Sequence, residues 1–433
     1  MKAKNLVGHL LALLTTLTLA AGAGAKDVTF DVAGDGSRLV TDALQAAIDD
    51  VAASGGGRLT LPPGTYLSGG IVLKDSVTLH LAKGATLLGS TNHLDYAPNR
   101  WMVGCFTRCR DVRVEGVTLT NPSFWTCRFK ECDGVVARGV TIRSHANYNN
   151  DGFDVDAKNV LIEDCTVDTD DDAICFKSDN PNFTPENIAV RNCRLSSNCN
   201  FIKFGTASCG GFRNCEISRC TLVPASQSKL RNWKSFVPGV TEDVTGLAGI
   251  ALEMVDGGAM ENIRVHDIEM AAGCVQTPIF VRLGKRNVHA SKRPSVLRDC
   301  VIENVRCDGT ASWIASSITG VPGLRVQGLT LRNIDLTLKG GCPSALVEKP
   351  VPEKEKAYPE NRMFDKHPLP GHAFYLRHAD DVKFENVRTR VAGAAEARPP
   401  VVQDDCTGVT FANCAFGDVS TGDQRADVLR VWK

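Results

Sequence analysis

The chain carries no excess of charge of either sign, with 49 basic against 49 acidic side chains in 433 residues. A net charge near zero leaves no electrostatic case for nucleic acid or an anionic membrane as partner. The phosphate-binding patterns are missing too: neither G-x-x-x-x-G-K-[ST] nor G-x-G-x-x-G occurs, so the glycine-rich turns simply join strands. There is no C-x-x-C pair on which to build a zinc or redox site. Beyond the N-terminal stretch, no segment approaches the ~18 apolar residues of a membrane span. Helical periodicity is scarce after residue 55, while glycine is frequent (39 residues), which favours β structure with many turns.

What is present begins with a leader. Lys2 and Lys4 form a positive start, Leu10 to Ala20 an apolar run, and Ala23-Gly24-Ala25 an A-x-A cleavage site before Lys26. Residues 1–25 are therefore expected to be a signal peptide, with 26–433 exported to the periplasm or beyond and free of the membrane. An amphipathic helix follows, with Leu39, Ala43, Leu44, Ala47, Ile48 and Val51 at helical spacing and Gly55 as its stop.

The remainder repeats. VRVEGVTL (112–119), VVARGVTI (135–142), VLIEDCTV (160–167), IAVRNCRL (188–195) and CEISRCTL (215–222) share one pattern with IRVHDIEM (263–270), SVLRDCVI (295–302), LTLRNIDL (329–336), VKFENVRT (382–389) and VTFANCAF (409–416). Most read apolar-x-apolar, a polar pair or glycine, then apolar-x-apolar. No such unit buries its apolar face alone, but stacked units share one core. The expectation is an all-β fold: a single right-handed parallel β-helix with an N-terminal capping helix and loop insertions. The largest insertion, 342–374, holds Tyr358, Arg362, Met363 and Phe364, and is read as an ordered cleft wall. The 17 cysteines recur at one phase of the repeat, as at Cys165, Cys193, Cys220, Cys300 and Cys414, and so are read as small core hydrophobes. Bridges such as Cys105/Cys132 or Cys199/Cys209 stay open.

Three consecutive repeats deliver polar clusters: Asp151, then Asp170-Asp171-Asp172, then Asn198-Cys199-Asn200 with Lys203. Asp151 precedes Asp171 by 20 residues, and Asn200 follows it by 29. Each interval fits one coil, so the clusters should stack, since neighbouring strands lie only ~4.8 Å apart. Glycosidic hydrolysis needs one protonated carboxyl for the leaving oxygen and one carboxylate for water or the sugar. Closely spaced carboxylates push one pKa upward, which suits both tasks. Asp171 and Asp172 share a site only if the chain turns there, and Asp168-Thr169-Asp170 is turn-prone.

NNDGFD (149–154), DDDAICFKS (170–178) and FIKFGT (201–206) resemble the NTDG-x-D, GDD and GHG-x-S-x-G-S motifs of glycoside hydrolase family 28, the polygalacturonase family. The resemblance implies a right-handed β-helix and hydrolysis with inversion of a pectin-type polysaccharide or oligosaccharide. A monomer without cofactor or metal is expected. The resemblance also implies Asp171 as general acid, Asp151 and Asp172 as water-holding bases, and Asn149 in support.

The sequence also departs from that pattern. The family's glycine before the Asp pair is Asp170, and its histidine falls at Asn200 or Cys199. Its R-I-K cations fall near Ala251-Leu252-Glu253, where Glu253 would repel a uronate. Lys177, Lys203 and Arg282 are candidates to restore a cation; Asn200, Lys203, Glu253 and Arg282 are thus candidate substrate contacts. Two rivals remain: a calcium-dependent polysaccharide lyase with Lys203 as base, and a non-catalytic carbohydrate-binding solenoid.

Overall fold

The computed structural model describes residues 25–96, 104–287, 293–347, 350–365, 368–417, 419–421 and 429–432. The expected leader lies outside them, apart from Ala25. The described residues form a β-helix whose strand pairings are parallel, except at Cys414–Phe416 with Val419–Thr421.

Each coil contributes to three sheets, and the repeat motif turns out to be the corner between two of them. In VLIEDCTV the first half belongs to strand Phe153–Glu163 and the second to strand Thr166–Thr169. The polar residue between them takes a left-handed backbone: Asp164, Asn192, Asp267, Asn304, Asn333, Asn386 and Asn413 have φ between 51° and 56°. Asn and Asp tolerate this conformation better than other L-residues. Their side chains then bond from coil to coil, Asn304 Nδ2 donating to Asp267 Oδ1 at 2.9 Å and Asn333 Nδ2 to Asn304 Oδ1 at 2.9 Å. Asn304, in the strand Cys300–Cys307, marks the true corner there, so the copy read at 295–302 is out of phase. Asp299 instead pairs with the neighbouring corner series, which runs through Asn262.

Apolar residues of all three sheets fill the interior, with Phe176 stacked on Phe204 at 4.2 Å between ring centroids. Full burial of one such side chain contributes about 1.5–3 kcal/mol. The cysteines take part as expected: all but Cys406 are buried, and neither Cys105/Cys132 nor Cys199/Cys209 is bridged.

Helix α1 spans Thr41–Ala53 and buries Leu44, Ile48 and Val51 over the first coils. It begins later than the spacing implied, because Leu39 ends the strand Asp35–Leu39 and is exposed, as is Ala43. With the open end of the core covered, the apolar interior meets no water there.

The third sheet carries the site. Its register runs Phe153, Ile174, Ile202, Ile250, Ile279 across successive coils. Two insertions lie against its outer face. The 342–374 insertion packs Phe364, Leu369, Val351 and Met363 on Ala248, Ala251, Phe280 and Tyr375, which makes it an ordered wall. A second, between strands Phe212–Val223 and Gly246–Met254, packs Trp233, Val237 and Val240 on Cys199 and Leu247.

Candidate active site

Asp151, Asp172 and Asn200 sit at one corner on three adjacent coils. Gly152 N–H donates to Asp172 O at 2.9 Å, and Ala173 N–H to Asn200 O at 2.8 Å, which locks the stacking. Asp171 and Asp172 lie in the break between strands Thr166–Thr169 and Ile174–Ser178. Outside the ladder, strict alternation no longer sends them to opposite faces. The hydroxyls of Thr169 and Ser197 donate to Asp171 O at 2.6 and 2.7 Å, holding the turn from behind. Asp170 accepts from Asn198 Nδ2 at 2.6 Å, and His145 lies 3.3 Å from Asp170 and 3.0 Å from Asp168. The residue that replaces the family's glycine is thus a buried anchor of the turn.

Each acid of the column has its own cation. Lys203 Nζ is 3.1 Å from Asp172 Oδ2, Lys177 Nζ is 3.2 Å from Asp151 and 3.0 Å from Asp154, and Arg231 pairs with Asp171 Oδ2. Asn200 donates to Asp172 Oδ1 from its backbone at 3.1 Å and its side chain at 2.8 Å. Burial pushes the Asp172 pKa up, but the charges of Lys203 and Lys177 and the Asn200 amide outweigh it and hold the group well below the usual carboxylate range. Asp171 is raised by burial and by Asp172, against the opposing pull of Arg231 and Lys203. Asp151, buried and facing both neighbouring acids, is pushed up to about 7 despite Lys177. Three carboxyls of one type are therefore pushed in opposite directions, Asp172 down and Asp171 and Asp151 up.

The remaining expected residues fall unevenly. Asn149 is exposed with a left-handed φ of 50°; it is Asn150, buried, whose Oδ1 accepts the Asp171 N–H at 2.8 Å. Glu253 is 0 % exposed, lies 3.7 Å from Lys203 and accepts from Thr206 Oγ1 at 3.2 Å. Burial raises its pKa to about 8, so below that pH it carries no charge to repel a uronate. Arg282 is buried and donates to the carbonyls of Gly320, Glu353 and Lys354, at 2.9, 2.6 and 3.3 Å. It clamps the 342–374 insertion to the sheet and is not brought to the acids.

Among the described residues, two triplets offer ligand atoms within 4.8 Å of one another: Asp151, Asp154 and Cys175, and Asp171, Asp172 and Cys199. Calcium takes six to eight oxygens, whereas each triplet holds a thiol and already has a lysine or arginine against its carboxylates. Lys203 would serve a lyase as base only when neutral, and the Asp172 carboxylate beside it raises its pKa well above the ordinary value in spite of burial. The donor set does not suit a calcium lyase.

Sequence reasoning missed Arg231, His145 and Asn150. Arg231 stands 60 residues from Asp171 in an irregular insertion, where no spacing rule reaches it. Asn150 and His145 had a signal, since each lies within six residues of Asp151. Aromatic rings border the acids: Trp125 lies 5.0 Å from Lys177 Nζ, and exposed Tyr358 lies 5.5 Å from Lys203 Nζ.

Residues 91–198 match the family model of Glycosyl hydrolases family 28. An exo-poly-alpha-D-galacturonosidase of Dickeya chrysanthemi is 42% identical over 83 residues, 19% of this chain and 14% of that protein. The chain thus spans only a small part of the curated relatives it matches. Among solved structures, the exopolygalacturonase of Yersinia enterocolitica aligns at 18% identity over 89% of this chain and 78% of its own, with a TM-score of 0.59. That of Thermotoga maritima aligns at 20% identity over 73% and 87%, with a TM-score of 0.54. At these identities the likeness is one of fold. The chain is similar to family 28 glycosyl hydrolases in the coils that carry Asp151, Asp171 and Asp172, and it folds as the same parallel β-helix.

Proposed function

We propose that the protein is a polygalacturonase-like glycosidase that hydrolyses a pectin-type polysaccharide or oligosaccharide with inversion. The observation that carries this reading is the stacked column of buried acids in unlike surroundings, Asp172 held by Lys203 and Asn200 and pushed down in pKa, Asp171 raised beside it. Asp171 gives its proton to the glycosidic oxygen as the C1–O bond breaks. Water attacks C1 from the opposite face and loses its proton to Asp172. Asp151 orients that water from the preceding coil. Lys203 and Asn200 act mainly through Asp172, and Trp125 and Tyr358 offer apolar faces to sugar rings.

Chain-end action fits the two insertions. They cover the sheet beyond Lys203, where Asn361 Nδ2 donates to Leu247 O at 2.9 Å and the Arg362 guanidinium lies 5.0 Å from the Trp233 ring. A glycan therefore enters from the Trp125 side and stops there. The leader motif supports export to the periplasm or beyond, where the mature protein acts as a monomer without cofactor.

The test is product release from polygalacturonate, rhamnogalacturonan and neutral side-chain glycans, by wild type beside Asp171→Asn, with and without calcium. Saturated products of inverted anomeric configuration that vanish in the variant support the reading. Unsaturated, calcium-dependent products make the protein a lyase, and binding without turnover on every glycan makes it a carbohydrate-binding solenoid.

A further inference from the structure

Arg231 is a cation set directly against the proposed acid. It reaches from the second insertion to Asp171 Oδ2, while Asp171 Oδ1 accepts the Asp172 N–H at 3.0 Å. Both oxygens of the proposed acid are thus engaged by donors, and neither is free to carry a proton toward a glycosidic oxygen. Arg231 has a further unusual feature: its Nε is buried with no hydrogen-bond partner. A guanidinium binds carboxylate best through two parallel N–H bonds, and here one half of that fork is unfilled.

The other cations of the cleft are more fully committed. Lys177 serves Asp151 and Asp154, Lys203 serves Asp172 and Glu253, and Arg286 meets Asp256 with both Nε and Nη2. Arg231 lies 5.9 Å from the Tyr148 ring and 5.7 Å from the Trp233 ring, on a segment outside the β-helix ladder. The titratable groups facing it are Asp171, Cys199, Asp172 and Glu360. A second carboxylate arriving at its Nε side competes with Asp171 for the guanidinium. A sugar hydroxyl, uncharged, competes poorly.

We propose that Arg231 is a specificity-determining gate: the carboxylate of a bound uronic acid draws the guanidinium away from Asp171, and only then is Asp171 free to act as acid. The proposal rests on the hydrolase reading and names the substrate class as a uronate-bearing glycan. It gives the site a uronate contact on a different segment from Glu253, the position where the resemblance had placed a cation. Removing a positive neighbour raises a carboxyl pKa, so uronate binding and acid activation become one event.

The experiment compares oligogalacturonides with their methyl esters, using wild type, Arg231→Gln and Arg231→Lys, each with a thermal melt. The wild type should prefer the free acid by about tenfold or more in kcat/KM, the worth of one hydrogen bond to a charged group. Its alkaline limb should lie lower in kcat/KM, which reports free enzyme, than in kcat, which reports the complex. In Arg231→Gln the acid-to-ester preference should collapse toward unity and the kcat/KM limb should rise to meet that of kcat. Arg231→Lys, which keeps charge without the fork, should fall between. An unchanged acid-to-ester ratio in either folded variant, or equal limbs in the wild type, overturns the gate. So does a wild type that prefers the ester. Asp171→Asn run beside them separates the two ideas: if it keeps wild-type turnover on the oligogalacturonides, the hydrolase reading with Asp171 as acid has itself failed.

Discussion

Lys203 Nζ lies 3.1 Å from Asp172 Oδ2 although the two residues are 31 positions apart, because Lys203 stands on the strand beside Ile174–Ser178, which begins two residues after Asp172. Both are buried, so the pair is the main opposing charge that keeps Asp172 ionised in a dry environment.

Lys203→Met should therefore move the acidic limb of the pH–rate profile upward. A depressed carboxylate pKa contributes stability that is present above its unfolded value and lost as pH falls through the folded value. Without Lys203 that contribution shrinks. Breaking such a buried pair costs about 3–5 kcal/mol, so a melt near neutral pH should show a clear loss of Tm. An unchanged acidic limb in a folded variant would remove Lys203 from its assigned role.

The acid and base roles separate by leaving group. Asp171→Asn should cost ~10²–10⁴ in kcat on a natural glycan. On an aryl glycoside whose leaving phenolate needs no proton, the loss should be much smaller. Asp172→Asn should impair both substrates alike, since water still needs its base. The reverse pattern would exchange the two roles.

His145 makes the turn sensitive to alkali. Burial opposes its charge, but Asp168 and Asp170 outweigh this and raise its pKa to about 9. For a group raised above its unfolded value, the stabilisation is full below about 6.5 and is lost as pH rises through about 9. The wild-type Tm should therefore fall across that window, and His145→Asn should start lower at pH 6 and fall less. Parallel Tm–pH curves for the two proteins would count against the ion pairs.

Chain-end action predicts the product pattern. On polygalacturonate, short products of one size should appear from the first minutes while viscosity falls slowly. A ladder of intermediate sizes with a rapid loss of viscosity would show that a glycan passes the wall formed by the insertions.

How far residues predicted this molecule depended on how locally they act. The recurring apolar-x-apolar halves with Asn, Asp or Gly between them announce a solenoid, because each coil meets the same packing demand and only a few residues tolerate its left-handed corners. The register of Asp151, Asp171 and Asn200 was legible for the same reason, since one coil length converts sequence interval into spatial contact. The 295–302 copy shows the limit: two corner series share one chemistry, and pattern alone confused them.

Insertions escape that arithmetic. Arg282 read as a candidate site cation, yet the carbonyls of Gly320, Glu353 and Lys354 claim it. Arg231 carried no signal in the sequence, yet it lands on Asp171. Charge is equally non-local: Glu253 looked like a repelling anion, but full burial makes it neutral below about 8. The sequence by itself determined the coil, its corners and the column of acids, all set by short-range periodicity. Only the tertiary structure decided which cation meets which acid and which carboxyl keeps its proton, because desolvation and Coulomb interaction depend on distances that no interval in the chain encodes.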